Sequence, residues 1–272
     1  MKIELTEQER ASGRPDPETV LIAAEQVRKN GYVLLDKVLT DEQIGQLRDA
    51  FAPLFAQYTE NKGFNTGTNR AQMFLPFIEP FCGDHVVASP FALPIIDQLV
   101  GADCRCTYFA SDTAGPGSDY QNVHSDLPPL FPDLGVALPV YSLVLNIPLV
   151  DVTEDNGPLE IWPGGTHLDP DSTRHTDIWG DMVRAARYMQ SEKVLMRAGS
   201  MVIRDIRMWH RGTPNRTDAI RTNLAFIYNR EWYGSGSTIP IPQETYDRLS
   251  ERSRMLFRTE KIGAPVKMPW QF

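Results

Sequence analysis

No apolar run in the sequence approaches the ~18 residues that a membrane-spanning helix needs, so no membrane partner is expected. Cysteine is scarce: Cys82, Cys104 and Cys106 are too few for the disulfide framework of a secreted domain, and an odd count fits a reducing compartment. Cys104-x-Cys106 is also tighter than the C-x-x-C spacing of zinc and redox sites, and reads as two thiols on one face of a short strand. The opening segment MKIELTEQER is charged and lacks the apolar stretch of a secretory signal, so a cytoplasmic protein is expected. No block of Lys and Arg occurs in a chain with 27 basic and 35 acidic residues and a net charge of −8, which argues against nucleic acid as a ligand. Internal repeats and low-complexity linkers are missing too.

What is present is a chain of 272 residues, 42% hydrophobic and 10% aromatic, which is enough for a buried core. One domain over 1–272 is expected: N-terminal helices in 1–100 packing on a β core at 103–230, then a helix at 243–258. Asp16-Pro17-Glu18 reads as an N-cap, a first-turn proline and an acidic first turn, with Gly31 ending that helix ahead of an apolar strand, Tyr32–Leu35. Thr40 and Gln43 form a capping box that opens a second helix, with Ile44, Leu47, Phe51 and Leu54 on one stripe and a kink or end predicted near Pro53. From residue 103 the texture changes. Segments 105–110, 140–152, 159–162, 194–196, 201–205 and 220–228 are rich in β-branched and aromatic residues and are separated by turn residues, the pattern of a barrel or sandwich. Asn156-Gly157-Pro158 reads as a hairpin turn, and Asp177–Gln190 as a helical insertion.

Five histidines occur, and one stands out. His124 is followed two positions later by Asp126, and in extended backbone residues two apart point to the same side, where imidazole and carboxylate can share an ion. In VIRDIRMWHRGTPN a β run leads through a turn to His210. Two His and one carboxylate form the facial triad of non-haem Fe(II) oxygenases, though the same set also holds zinc for hydrolysis. Arg221 opens the next strong strand. A buried guanidinium there suits a carboxylate ligand; the alternative is a strand cap or an ion pair with Asp218.

His124-Ser125-Asp126, the segment DNGPLEIWPGGTH (Asp155–His167) and the closing DIRMWHRGTPN with Arg221 together resemble the phytanoyl-CoA dioxygenase family. The resemblance runs from about Gly31 to Tyr228. It implies a mostly β fold with flanking helices around a double-stranded β-helix (jelly-roll, cupin-like) core, and an Fe(II)- and 2-oxoglutarate-dependent dioxygenase consuming O2. It further implies that His124, Asp126 and His210 bind iron and that Arg221 holds the distal carboxylate of 2-oxoglutarate. Gln121 matches a position that contacts the cosubstrate in relatives, and Arg70 one where some relatives place a second basic contact. His167 matches a structural turn, and His85 and His175 need no role. Leu159 stands where some relatives have a threonine contact, so that contact is absent or supplied by another residue.

Asp126 occupies the position that related halogenases leave to a small residue, so hydroxylation is expected, with desaturation, epimerisation or cyclisation as variants. The expected partner is a small or medium organic metabolite, and the protein a monomer or homodimer. The loop 61–76, the proline-rich stretch 127–139 and the insertion 168–192 are expected to shape the pocket, with Phe74, Phe131, Trp179 and Trp232 as candidate lining. Two rivals remain at this stage: a zinc hydrolase, and a cupin-like binding module without catalysis.

Overall fold

The structure is a computed structural model that describes residues 1–128, 130–131, 135–168, 178–234 and 238–272, with the side chains of 178 and 179 outside the description. Strands β1 (Lys2–Glu4), β2 (Tyr32–Asp36), β3 (Arg70–Phe74), β4 (Arg105–Ala114) and β5 (Ser142–Pro148) are followed by β6 (Leu159–Ile161), β7 (Glu192–Val194), β8 (Met201–Asp205), β9 (His210–Gly212) and β10 (Arg221–Asn229). Seven of them form one sheet in the order β1-β2-β8-β5-β10-β4-β3, and three form a second in the order β7-β6-β9. All pairings in these two sheets are antiparallel except β1 with β2. The fold is thus sheet-rich with flanking helices.

The helices are α1 (Glu7–Ser12), α2 (Pro17–Asn30), α3 (Asp41–Lys62), α4 (Asp84–Val87), α5 (Leu93–Val100), α6 (Ile178–Ala186), α7 (Gln243–Arg248) and α8 (Glu251–Phe257). Period-two alternation divides the larger sheet into two faces. Val33 and Leu35, Leu143, Leu145 and Ile147, Met201 and Ile203, and Leu224 and Phe226 join one core cluster with Val27, Leu47, Phe51 and Ile96 of the helices. Each such side chain, fully buried, contributes about 1.5–3 kcal/mol. The alternate positions Tyr32, Leu34 and Val202 join Ile161 and Val194 of the smaller sheet in a second cluster, so the two sheets share an interior. Further along that interior the lining turns polar, and the candidate site lies there.

Gly31 ends α2 with a φ of 84°, in the left-handed region where glycine carries no Cβ penalty. The Thr40–Gln43 capping box opens α3. That helix runs on through Pro53 instead of ending there: Pro53 lies on the exposed face, where the carbonyl that its missing N–H releases is not committed to a dry interior. The segment read as one helix at 243–258 is two, because Ser250 caps the second by accepting from the Ser253 amide. Asn156-Gly157-Pro158 is not a hairpin. The strands on either side, β5 and β6, belong to different sheets, and the turn carries the chain across. The N-terminal third supplies β1, β2 and β3 to the larger sheet besides its helices.

Candidate metal centre

His210 opens β9, and His124 pairs with it as a single antiparallel bridge. Each imidazole Nδ1 lies 2.8 Å from a backbone carbonyl, that of Asn122 for His124 and that of Met208 for His210. A carbonyl only accepts, so each Nδ1 carries a hydrogen and each Nε2 is the ring atom left to face a ligand. Asp126 is held by its amide, which donates to the Ile206 carbonyl at 3.2 Å. Its Oδ1 lies 3.3 Å from His210 Nε2 and 4.0 Å from His124 Nε2. One ligand atom from each of the three residues lies within 4.8 Å of the others, and among the described residues no other group of three or more His, Cys, Asp and Glu converges in this way.

Burial lowers the His124 pKa to about 4, aided by the neighbouring His210. Burial pushes the Asp126 carboxyl up, but Arg204 and then His210 outweigh it and hold the group well below the usual carboxylate range. At neutral pH His124 is therefore neutral and Asp126 ionised, the states a divalent metal requires of its ligands.

Arg221, Gln121 and Arg70 line the same cavity as the three converging residues. Arg221 is buried at the start of β10, donates from Nη2 to the Gly157 carbonyl and makes no ion pair with Asp218; its Nε has no partner among the described residues. Burial, with Arg70 adding to it, lowers its pKa to about 10, a value at which the guanidinium is still charged at neutral pH. Arg70 is buried too and donates from Nε and Nη2 to the Asp119 carbonyl at 3.2 and 2.9 Å. The Gln121 Oε1 accepts from the Gly212 amide at 2.8 Å. A Cβ at Gly212 would stand 2.6 Å from Arg70 Nη1 and 2.7 Å from Gln121 Oε1, so the bare backbone of β9 is what admits both side chains. Two imidazoles and a carboxylate suit iron, and a buried guanidinium whose Nε is still free to donate suits a dicarboxylate: the residues present fit both groups.

Arg204, Asp112, Asn146 and Asn223 also line the cavity and have no local sequence signature. They sit at inward positions of β8, β4, β5 and β10, and the only available signal for Arg204 was a charge within an apolar strand, the cue that singled out Arg221. The loop 61–76 does reach the cavity, through Thr66, Arg70, Ala71 and Gln72. Of the aromatics, Phe74 lines a separate cavity of about 370 Å³ with Tyr108, Ile239 and Phe272, while Phe131 and Trp232 are exposed. The Trp179 side chain and His175 lie outside the described residues, as do 129, 132–134 and 169–177 of the two segments expected to shape the pocket. His167 is buried away from the centre, its Nε2 donating to the Arg28 carbonyl at 3.0 Å. Leu159 lines the cavity and offers no polar contact.

Residues 27–223 match the phytanoyl-CoA dioxygenase (PhyH) family. The chain belongs to that family. Among characterised proteins, this PhyH chain is 26% identical over 201 residues to dioxygenase af480 of Aspergillus fumigatus, a match covering 71% of this chain and 60% of that protein. The chain thus spans less than two thirds of that relative's length. Among solved structures it is similar to the non-heme alpha-ketoglutarate-dependent epimerase SnoN of nogalamycin biosynthesis. In its complex with Fe3+, alpha-ketoglutarate and nogalamycin RO, that protein gives a TM-score of 0.60 at 22% identity, over 79% of this chain and 84% of the other. The carbocyclase SnoK of the same pathway gives 0.58 at 21% identity, over 76% and 83%. These likenesses show a shared fold.

Proposed function

We propose that this PhyH-family protein is a non-haem Fe(II)/2-oxoglutarate-dependent dioxygenase that hydroxylates a small or medium organic molecule. The observation that carries the reading is the meeting of His124 Nε2, His210 Nε2 and Asp126 Oδ1 in one cavity with the buried Arg221. His124, Asp126 and His210 would hold iron, and Arg221 the distal carboxylate of 2-oxoglutarate, with Gln121 and Arg70 beside it. When bound, iron and cosubstrate supply with O2 the oxidation of a substrate C–H bond, releasing succinate and CO2.

The chain's own residues prepare that chemistry. The Asn122 and Met208 carbonyls fix the tautomer and orientation of the two imidazoles. Arg221 neutralises and orients an anion that would otherwise be costly to bury. The facing sheets, read as a double-stranded β-helix, bury His210, Arg204 and Arg221 and leave His124 and Asp126 open to the mouth of the cavity, the side from which cosubstrate and substrate would enter. Besides Gly212, Ala71 and Leu159 are the only nonpolar residues among the sixteen described residues that line the cavity, and Asp112, Asn146 and Asn223 face it. Such a wall favours a polar substrate over an acyl chain.

A zinc hydrolase would leave the buried Arg221 without a task. The test is succinate release from 2-oxoglutarate with Fe(II) and ascorbate, first without substrate and then across a metabolite panel. Succinate that forms with Fe(II) and disappears with a chelator supports the dioxygenase. Tight zinc binding with no succinate defeats it.

A further inference from the structure

We infer that Arg204 is the positioning residue of the carboxylate ligand, an assignment that rests on the iron-binding reading above. Arg204 lies on β8, where register sets it opposite Tyr32 and Val144 and alternation turns it toward the cavity. Its side chain is 6% exposed, and its Nη2 lies 2.5 Å from Asp126 Oδ2. The Asp126 carboxylate is thereby divided. Oδ2 is taken by the guanidinium, while Oδ1 faces the Nε2 atoms of both histidines.

The pair is a dedicated one. Arg204 Nε and Nη1 are buried without partners, so Asp126 is the one acceptor this guanidinium has among the described residues. A buried arginine satisfied at a single edge is costly to the fold, and apolar residues of similar volume in place of the whole pair would serve stability as well or better. What the arginine supplies is orientation. With Oδ2 engaged, Asp126 can offer a metal one oxygen and not two, which leaves an additional coordination position for cosubstrate or O2.

The test measures Ni(II) affinity by titration calorimetry on the full chain, together with melting temperature, for wild type, Arg204→Met, Arg204→Lys, Asp126→Ala and the double variant Asp126→Ala/Arg204→Met. Loss of an outer-shell partner costs about 10–100-fold in metal affinity. Arg204→Met is expected to show that loss together with a lowered melting temperature, because Asp126 loses its partner, and Arg204→Lys to recover part of both; in the double variant, with the whole pair removed, the melting temperature should return toward wild type. In the Asp126→Ala background, where the two imidazoles still bind Ni(II), the same substitution should change affinity less than about twofold, because Arg204 acts through Asp126. Wild-type affinity in Arg204→Met overturns the assignment, and so does an equal loss in both backgrounds. If Arg204→Met does not fold, Arg204→Lys alone decides by the same comparison. A wild-type chain that binds no divalent ion defeats the dioxygenase reading itself, a result distinct from a wild type and an Arg204→Met variant that bind alike.

Discussion

His124 and His210 hold each other through the backbone: the His124 amide donates to the His210 carbonyl at 3.0 Å, and the His210 amide donates back at 2.9 Å. Their rings lie 4.4 Å apart between centroids. The spacing of the two candidate ligands is therefore built into strand pairing and does not depend on side-chain freedom. Asp126, two residues on, is fixed by a further backbone bond of its own, to the Ile206 carbonyl.

Replacing Asp126 by Gly should abolish succinate-coupled hydroxylation and lower Fe(II) affinity by more than the ~10–100-fold typical of an outer-shell loss. Full turnover in this variant would remove the aspartate from the proposed triad.

Arg221→Met should raise the KM for 2-oxoglutarate about 30-fold or more, since truncating one partner of a buried charge pair costs roughly 2–5 kcal/mol. Arg221→Lys keeps the charge and loses the planar fork, so an intermediate KM is expected. Steady-state kinetics with the cosubstrate varied provides the check; an unchanged KM would place the distal carboxylate elsewhere.

Gly212→Ala should act on two residues at once. Its methyl group would collide with Arg70 and Gln121, 2.6 and 2.7 Å away, and both must shift. A stability loss of about 1–3 kcal/mol is expected from overpacking, with weaker cosubstrate binding. Denaturant melts and 2-oxoglutarate titration would reveal both effects, whereas wild-type values would mean that neither side chain is confined.

The metal-free protein should lose stability as pH falls below 6.5, in part through His167. Burial lowers its pKa from the ordinary 6.5, so the folded imidazole stays neutral while the unfolded one takes up a proton. The contribution is fully present above 6.5 and declines as pH drops toward the folded value. His167→Gln should flatten that part of the stability profile. Equal slopes for the two proteins, followed by thermal melts across pH, would contradict this.

The features legible in the sequence were those with local signatures. The i, i+2 pair His124 and Asp126, the histidine after a β run, the Thr40 capping box and the Gly31 helix end each follow from neighbouring residues. Features that arise from distant pairing were not. Arg204 and Asp126 are 78 positions apart and meet only because β8 lies where the strand order puts it. Gly157 announces a turn, but a positive φ does not say which sheet the next strand joins. Phe131 and Trp232 do not line the cavity, because an exposed aromatic and a pocket aromatic look alike without a fold.

The sheet order has a practical corollary for recombinant work. The PhyH match stops at residue 223, yet β10 runs over nine residues from Arg221 to Asn229 and lies between β5 and β4. A fragment trimmed to 27–223 would keep three residues of that strand, splitting the larger sheet down its middle and leaving two raw edges open to aggregation. Expression limits for this protein belong beyond residue 229, with β1 retained at the other margin.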